Sequence, residues 1–146
     1  MTEEKIADVM REYVKAMADG DVEKALSCYT EDAVVTNPYG TYRGKEAIKG
    51  TLVAMARNMK DMKVAETGNG IIVQGDKSFF EHIISGMMEG KKFEFLAMCA
   101  YEFEGDKIKE VRTVFDRLSI AQQVVSGWPA KSLVNMIVRQ SEKAMK

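Results

Sequence analysis

Asp116 combines a titratable group with apolar neighbours, the setting in which enzymes move protons. It follows a Val-Phe pair and lies two residues before Leu118. Poor solvation in such a setting raises the pKa of a carboxyl group toward neutral pH and suits it to general acid/base work. Alternatively, Asp116 ends a strand and caps a helix that opens at Ser119, or it pairs with Arg117. The residue types alone leave both roles open.

His82, the single histidine, lies in the apolar run FFEHIISG. With an ordinary pKa of about 6.5, an imidazole in a pocket can donate or shuttle a proton. The alternative is a neutral ring satisfied by a strand neighbour. Because side chains alternate along a strand, His82 should share a face with Phe80 and Ile84, and Glu81 should face the other side. A bulge would reverse that order and make Glu81 the substitute candidate.

Five other side chains are candidates for ligand contact. Asn37 offers an amide just before the Pro-Tyr-Gly turn, where it could instead only start that turn. Tyr13, Tyr29 and Tyr101 carry hydroxyls, although each also suits an amphipathic core position. Met55 is one of eleven methionines, whose adaptable thioethers suit either core filling or a pocket for a rigid apolar ligand.

The remaining composition excludes several classes of partner. Cys28 and Cys99 form no Cys-x-x-Cys or Cys/His cluster, so we expect no metal and no cofactor. Twenty-one basic against 22 acidic residues give a net charge of −1, which favours neither nucleic acid nor an anionic membrane. The acidic N-terminal stretch lacks the pattern of a signal peptide, and no apolar run reaches the roughly 18 residues of a membrane span. These features predict a cytoplasmic protein.

Helical segments come first in the chain. Apolar side chains recur at helical spacing over residues 6–17, and Asp19-Gly20 ends that helix. Asp21 caps a second, shorter helix, a β-prone run lies at 34–36, and a third helix follows Gly44.

From residue 62 the pattern changes to that of strands separated by short turns, which predicts an antiparallel meander. Its runs span about 62–74, 77–88, 91–103 and 107–117. A short helical segment from Ser119 and a terminal helix over 130–144 follow. Helices before a meander predict one α+β domain over residues 1–146, with a curved antiparallel sheet and helices on one of its faces.

The third run, Phe93 to Tyr101, has almost lost the alternation of apolar and polar residues. An antiparallel strand with apolar residues on both sides is expected to be covered on both sides. The helices can cover one face, and a second subunit is the simplest cover for the other. We therefore predict a homodimer through the outer face of the sheet.

Two stretches of the chain carry a recognisable pattern. Residues 21–48 combine a D-x-x-x-A-L-x-x-Y-x-x-D-A-V segment with a Pro-x-Gly-x-x-x-Gly turn into a helix, and KIKEVRTVFDRLSIAQQ has the "basic-x-x-Phe-Asp" form of a last strand. Both stretches resemble the SnoaL-like proteins of the nuclear transport factor 2-like superfamily. The resemblance covers residues 1 to about 125. The residues that match the first of these patterns are Asp21, Ala25, Leu26, Tyr29, Asp32, Ala33, Val34, Pro38, Gly40 and Gly44.

The resemblance implies a cone-shaped sheet with helices packed on its concave face, and a pocket between them. Relatives such as polyketide cyclases and ketosteroid isomerase carry out proton transfers on apolar substrates there without a cofactor. SnoaL-like cyclases and enzymes similar to limonene epoxide hydrolase carry a working carboxylate where Asp116 stands. The family also contains proteins without known activity, so the likeness implies the fold more narrowly than the reaction.

The chain departs from the epoxide hydrolases at the residues that matter most for their reaction. Their Arg and Asp align with His82 and Ile84, and their Tyr and Asn align with Val35 and Asn37. Asn37 and Asp116 are kept, while the acid that protonates the leaving oxygen is lost at Ile84. We therefore do not expect epoxide hydrolysis.

Three hypotheses follow for a protein whose expected ligand is a small apolar molecule. In the first, it is a cofactor-free isomerase or cyclase acting on a small carbonyl compound. Asp116 would move the proton, and His82 and Asn37 would hold an oxyanion or a water. In the second, the same pocket binds a ligand without chemistry. In the third, the pocket is filled and the dimer surface carries the function.

Overall fold

The computed structural model describes residues 2–145, which form five helices and one six-stranded sheet. The helices are α1 (Glu3–Asp19), α2 (Val22–Ser27), α3 (Lys45–Asn58), α4 (Arg117–Val124) and α5 (Trp128–Ala144). The strands are β1 (Tyr29–Asn37), β2 (Gly40–Arg43), β3 (Lys60–Gln74), β4 (Lys77–Met88), β5 (Lys91–Glu104) and β6 (Lys107–Phe115). The α+β prediction and the four-stranded meander are confirmed.

The helix ends follow the local chemistry of the sequence. The Thr2 side chain accepts a hydrogen bond from the backbone N–H of Lys5 at the start of α1, and Gly20 ends that helix in the left-handed conformation that favours glycine. Asp21 caps α2 by accepting from the backbone N–H of Lys24, as predicted. Gly44 precedes α3, also as predicted.

The sheet order is β2-β1-β6-β5-β4-β3. Consecutive strands from β3 to β6 pair antiparallel, whereas β1 runs parallel to β6 and places Val34 opposite Glu110. β3 carries an irregularity between Glu66 and Ile71, where Gly68 and Gly70 have positive φ. The parallel pair was not predicted, because nothing local to residues 34–36 indicates which distant strand they join.

Three boundaries differ from the sequence expectation. β1 begins at Tyr29 rather than near residue 34. α4 begins at Arg117 rather than Ser119 because Asp116 caps it, and α5 begins at Trp128 rather than residue 130. Pro129 lies in the first turn of α5, where its missing N–H has no intrahelical partner to lose.

Helices cover the concave face of the sheet, and the core divides there into two clusters. The "tyrosine cluster" surrounds Tyr13, Tyr29 and Tyr101, and includes Phe80 and Ile108. The "methionine cluster" lies toward the other end of β5. It combines Met62, Ile84, Phe93, Phe95, Ala97, Ile120 and Val124 with the partly buried Met17, Met55, Met59 and Met88. Among residues 2–145, no helix has the length and apolar character needed to cross a membrane.

Candidate ligand site on the concave face

His82 lies on the concave face, between the two clusters. It shares that face with Phe80 and Ile84, as strand alternation predicted, and its side chain is 3% exposed. Its imidazole ring stacks on the ring of Phe80, with centroids 4.2 Å apart and planes inclined by 15°. The imidazole is therefore held flat against an apolar surface.

The Nδ1 atom of His82 is buried without a hydrogen-bond partner. Within residues 2–145, Thr30 Oγ1 is the one other buried side-chain N or O atom in that condition. Burial lowers the pKa of His82 below its ordinary value and outweighs a hydrogen bond to the Phe80 backbone, which raises it, so the ring is neutral near pH 7. A neutral imidazole with an unpaired nitrogen can hydrogen-bond a ligand or act as a base.

A groove of about 310 Å³ opens between α1 and the strands β3 and β4. Phe80, the ring on which His82 stacks, forms part of its wall, so one side chain contacts both the groove and the imidazole. Its apolar lining is Val14, Ala18, Val64, Ile71 and Phe80, and its polar lining is Arg11, Lys15 and Glu66.

The polar residues of the groove stand at its exposed rim. Arg11 Nε lies 3.6 Å from Glu66 Oε1, with both side chains about half exposed. Lys15 forms an ion pair with Asp19 one helical turn later. Each cation at the rim thus has an acidic partner, so the rim carries little net charge with which to select a ligand.

The three candidate tyrosines meet in one buried cluster. The Tyr29 hydroxyl donates to the Tyr13 hydroxyl over 2.6 Å, and the rings of Tyr13 and Tyr29 meet edge to face at 5.3 Å. The ring of Tyr101 lies 6.3 Å from that of Tyr13. Burial raises the pKa of all three hydroxyls, which keeps them protonated. In this arrangement they stabilise the interior.

Met55 lies at the junction of the two clusters. Together with Met17 and Val64 it is partly buried and packs against both. Unbranched thioether side chains adjust their shape easily. The junction is therefore the part of the interior most able to make room for a guest.

Asp116 lies at the start of α4, exposed to solvent. Its Oδ1 accepts hydrogen bonds from the backbone N–H groups of Leu118 at 2.9 Å and Ser119 at 3.1 Å. Arg117 instead lies over the ring of Tyr39, 4.6 Å from its centroid. The structure thus places Asp116 in the helix-capping role that the sequence left open, and neither the groove nor the interior clusters include it.

Asn37 serves the turn between β1 and β2. Its Oδ1 accepts from the backbone N–H of Tyr39 over 2.8 Å. Glu81 faces away from His82, and its carboxylate accepts a hydrogen bond from the Thr67 hydroxyl at 2.9 Å. The candidates His82, Tyr13, Tyr29, Tyr101 and Met55 thus share the interior, whereas Asn37 and Asp116 lie at element ends.

The resemblance implied a pocket between the helices and the sheet, but none of the candidate residues lines this groove. Arg11 and Lys15 belong to the polar side of an amphipathic helix, and Glu66 precedes the irregular part of β3. Their convergence depends on how α1 crosses β3, which no local pattern encodes. In the part of the chain described, no three His, Cys, Asp or Glu residues are grouped as metal ligands.

Comparison with known proteins gives the family and the fold. A family model described as a SnoaL-like domain matches residues 10–111. A comparison with functionally curated proteins finds no match. Among solved structures, a hypothetical protein with a ketosteroid isomerase-like fold from Catenulispora acidiphila, in complex with trimethylamine, is similar at 19% identity and a TM-score of 0.73. That match covers 84% of this chain and 94% of that one.

Two further structures bear names that state an activity. A putative isomerase from Bacillus subtilis is 19% identical with a TM-score of 0.74, and the match covers 84% of this chain and 95% of that one. An LEH-like epoxide hydrolase of M. tuberculosis is 16% identical with a TM-score of 0.72, covering 94% of this chain and 98% of that one. At these identities the similarity shows the fold alone.

Proposed function

The chain belongs to the SnoaL-like domain family, and from this premise we propose that it binds a small, mostly apolar molecule on the concave face, beside His82. The observation that carries the proposal is the unpaired Nδ1 atom of the buried His82. Leaving a buried polar atom without a partner costs about 1–3 kcal/mol. A ligand with one hydrogen-bonding group would recover much of that free energy.

The groove and the methionines supply the rest of the site. A volume of about 310 Å³ lies at the lower end of small-molecule sites. Met17 and Met55 are partly buried and pack against both clusters, so their flexible side chains can move to make room for a ligand between the clusters. The ligand is therefore expected to be compact and apolar, with one carbonyl or hydroxyl group directed at Nδ1.

A second candidate function is cofactor-free proton transfer on a small carbonyl compound, as in an isomerase or cyclase. It is favoured by the lowered pKa of His82, which keeps the imidazole available as a base at neutral pH. Asp116 is a poorer candidate for the base, because its Oδ1 already caps α4. The structural neighbours with isomerase names fit this candidate but do not distinguish it from binding alone.

Binding is tested with the bicyclic ketone decalone and its hydrocarbon counterpart decalin, by calorimetric titration. We expect His82→Phe to weaken decalone binding about tenfold, the effect of one hydrogen bond, and to leave decalin binding unchanged. Val14→Trp should abolish the binding of both compounds by filling the groove. Asn135→Ala, which lies on α5 outside the groove, is the control variant and should bind both compounds as the wild type does. Equal affinity of wild type and His82→Phe for decalone would contradict the proposal.

Catalysis is tested with the same ketone in heavy water. If His82 acts as a base, the protein will exchange the protons beside the carbonyl for deuterium, and proton NMR will show their loss. His82→Gln should stop the exchange, whereas Asp116→Asn, which keeps the helix cap, should not. Tight binding without exchange would assign the protein to the non-catalytic function. Loss of exchange in Asp116→Asn alone would restore Asp116 as the base.

A further inference from the structure

Glu66 lies directly across from His82 in the sheet. The antiparallel register of β3 and β4 places the two residues opposite each other. Side chains in opposite positions project from the same face, and their Cβ atoms are about 4.5–5.5 Å apart. Glu66 also lines the groove, together with Val64 of the same strand. A change of side-chain rotamer can therefore bring the Glu66 carboxylate to the imidazole.

The other neighbours of His82 on the concave face are apolar. Along β4 they are Phe80, whose ring covers one side of the imidazole, and Ile84. On β5 the residue opposite His82 is Ala97, which is fully buried. None of these side chains can accept or donate a hydrogen bond. Glu66 is thus the carboxylate that the register of the sheet places beside the unpaired Nδ1 atom.

The structure nevertheless holds the Glu66 carboxylate at the rim of the groove. Its Oε1 lies 3.6 Å from Nε of Arg11 on α1. Its Oε2 occupies space that a side chain at position 70 would need, because a Cβ atom on Gly70 would lie only 2.6 Å from it. Gly70 has a positive φ and belongs to the irregular part of β3. The rim position thus depends on a cation across the groove and on a glycine behind the carboxylate.

The contact that holds Glu66 at the rim is weak. Both side chains of the Arg11–Glu66 pair are about half exposed, and Arg11 is shared with Asp8 at 3.7 Å. Exposed ion pairs contribute little to stability. The buried Nδ1 atom of His82, in contrast, lacks a partner, and buried polar atoms in proteins nearly always have one. The balance between the two positions of the carboxylate therefore depends on Arg11.

We propose that Glu66 is an internal competitor for Nδ1 of His82, and that Arg11 is the positioning residue that restrains it. While Arg11 holds the carboxylate at the rim, Nδ1 is free to meet a ligand. When Arg11 releases it, the carboxylate turns inward, Nδ1 takes up a proton from solvent, and the resulting ion pair closes the site. This inference rests on the proposed function, because a competitor matters only where a ligand uses Nδ1.

Nuclear magnetic resonance of the free protein tests the contact without any ligand. His82 is the single histidine, so its imidazole proton and nitrogen signals are assigned without ambiguity. Arg11→Gln frees Glu66 and should raise the pKa of His82 by about one pH unit, because a neighbouring carboxylate favours the charged ring. The Nδ1 signal should move toward that of a protonated nitrogen. The double variant Arg11→Gln/Glu66→Gln should return both values to those of the wild type.

Lys15→Gln is the matched control for the loss of charge. It removes a positive charge from the same rim, but Lys15 pairs with Asp19 and does not hold Glu66. Its effect on the pKa of His82 should be much smaller than that of Arg11→Gln. Equal effects of the two variants, or a raised pKa that persists in the double variant, would overturn the proposal. Either result would show that the lost charge alone acts on the imidazole.

Calorimetric titration with decalone tests the competition itself. Arg11→Gln should weaken decalone binding by up to about tenfold, because the ligand then binds only the fraction of molecules in which Nδ1 is free. The double variant Arg11→Gln/Glu66→Gln should recover the affinity. Decalone binding by the wild type that Arg11→Gln leaves unchanged would overturn this inference and leave the proposed function intact. The expected resonance shifts in a protein that does not bind decalone would overturn the proposed function instead.

Discussion

The two ends of the concave face differ in how they are filled. At the tyrosine cluster, rings meet edge to face, two hydroxyls are hydrogen-bonded to each other, and the side chains are fully buried. At the methionine cluster, several flexible side chains remain partly exposed. His82 lies between them, stacked on a ring of the first cluster and two residues from Ile84 of the second. The concave face of the sheet thus carries a tightly packed tyrosine cluster at one end and a more adaptable methionine cluster at the other. The candidate ligand site lies between them.

The largest expected difference between the two ends is in stability. Ile108→Ala in the tyrosine cluster should lower the free energy of unfolding by about 2–5 kcal/mol, because the packed surroundings cannot close the cavity. Met59→Ala in the methionine cluster should cost about 1 kcal/mol, since that side chain is partly exposed. Urea denaturation measures both losses of unfolding free energy. Equal losses would show that the two ends are packed equally tightly.

The tyrosine pair should contribute less than the packing around it. Tyr29→Phe removes the donor to Tyr13, leaves a buried hydroxyl without that partner, and should cost about 1–2 kcal/mol. The chain with both tyrosines changed to phenylalanine should lose less than the sum of the two single losses, because no hydroxyl is then left unpaired. Additive losses in the double-mutant cycle would mean that the hydrogen bond is energetically unimportant.

His82, which lies between the two ends, should make the free energy of unfolding depend on pH. Its pKa is lowered in the folded state, so the unfolded chain binds the proton more tightly and stability falls as pH drops below about 6.5. The slope should reach at most about 1.4 kcal/mol per pH unit. His82→Gln should remove that component, which denaturation at pH 7.5 and pH 5.5 would reveal. The same pH slope in the variant would contradict burial of the neutral ring.

The smallest effect on stability and ligand affinity is expected at Asp116, which belongs to neither cluster. Asp116→Ala should cost about 1 kcal/mol through loss of the α4 cap, and Asp116→Asn should cost less because asparagine also caps well. Neither should change decalone affinity in the binding assay. A loss of affinity in Asp116→Asn would place this carboxylate within the ligand site after all.

The sequence predicted what depends on neighbouring residues. The α1 end at Gly20, the Asp21 cap and the face occupied by His82 follow from short-range geometry, and all three are confirmed. The resemblance to SnoaL-like proteins supplied the order of elements and the concave sheet, which the family match supports.

What could not be predicted depends on contacts between distant residues. The groove forms because α1 crosses β3 so that Arg11 lies beside Glu66, and that crossing has no local signal. The role of Asp116 depended on whether the chain after β6 turns into a helix at once. The groups that donate to Asp116 in that turn are the backbone N–H groups of Leu118 and Ser119. Because nearly every residue type has such a group, the sequence does not show which of them will reach the carboxylate.

The parallel pairing of β1 with β6 also bears on how the chain is made. Val34 joins Glu110, so the strand synthesised early finds its partner only when most of the chain has left the ribosome. Until then β1 is paired along one edge only, with the short strand β2, and the edge that later pairs with β6 is open. Contacts this distant in sequence slow folding, and an unpaired edge invites pairing with other chains. The newly made N-terminal half therefore exposes an unpaired strand edge until β6 has been made.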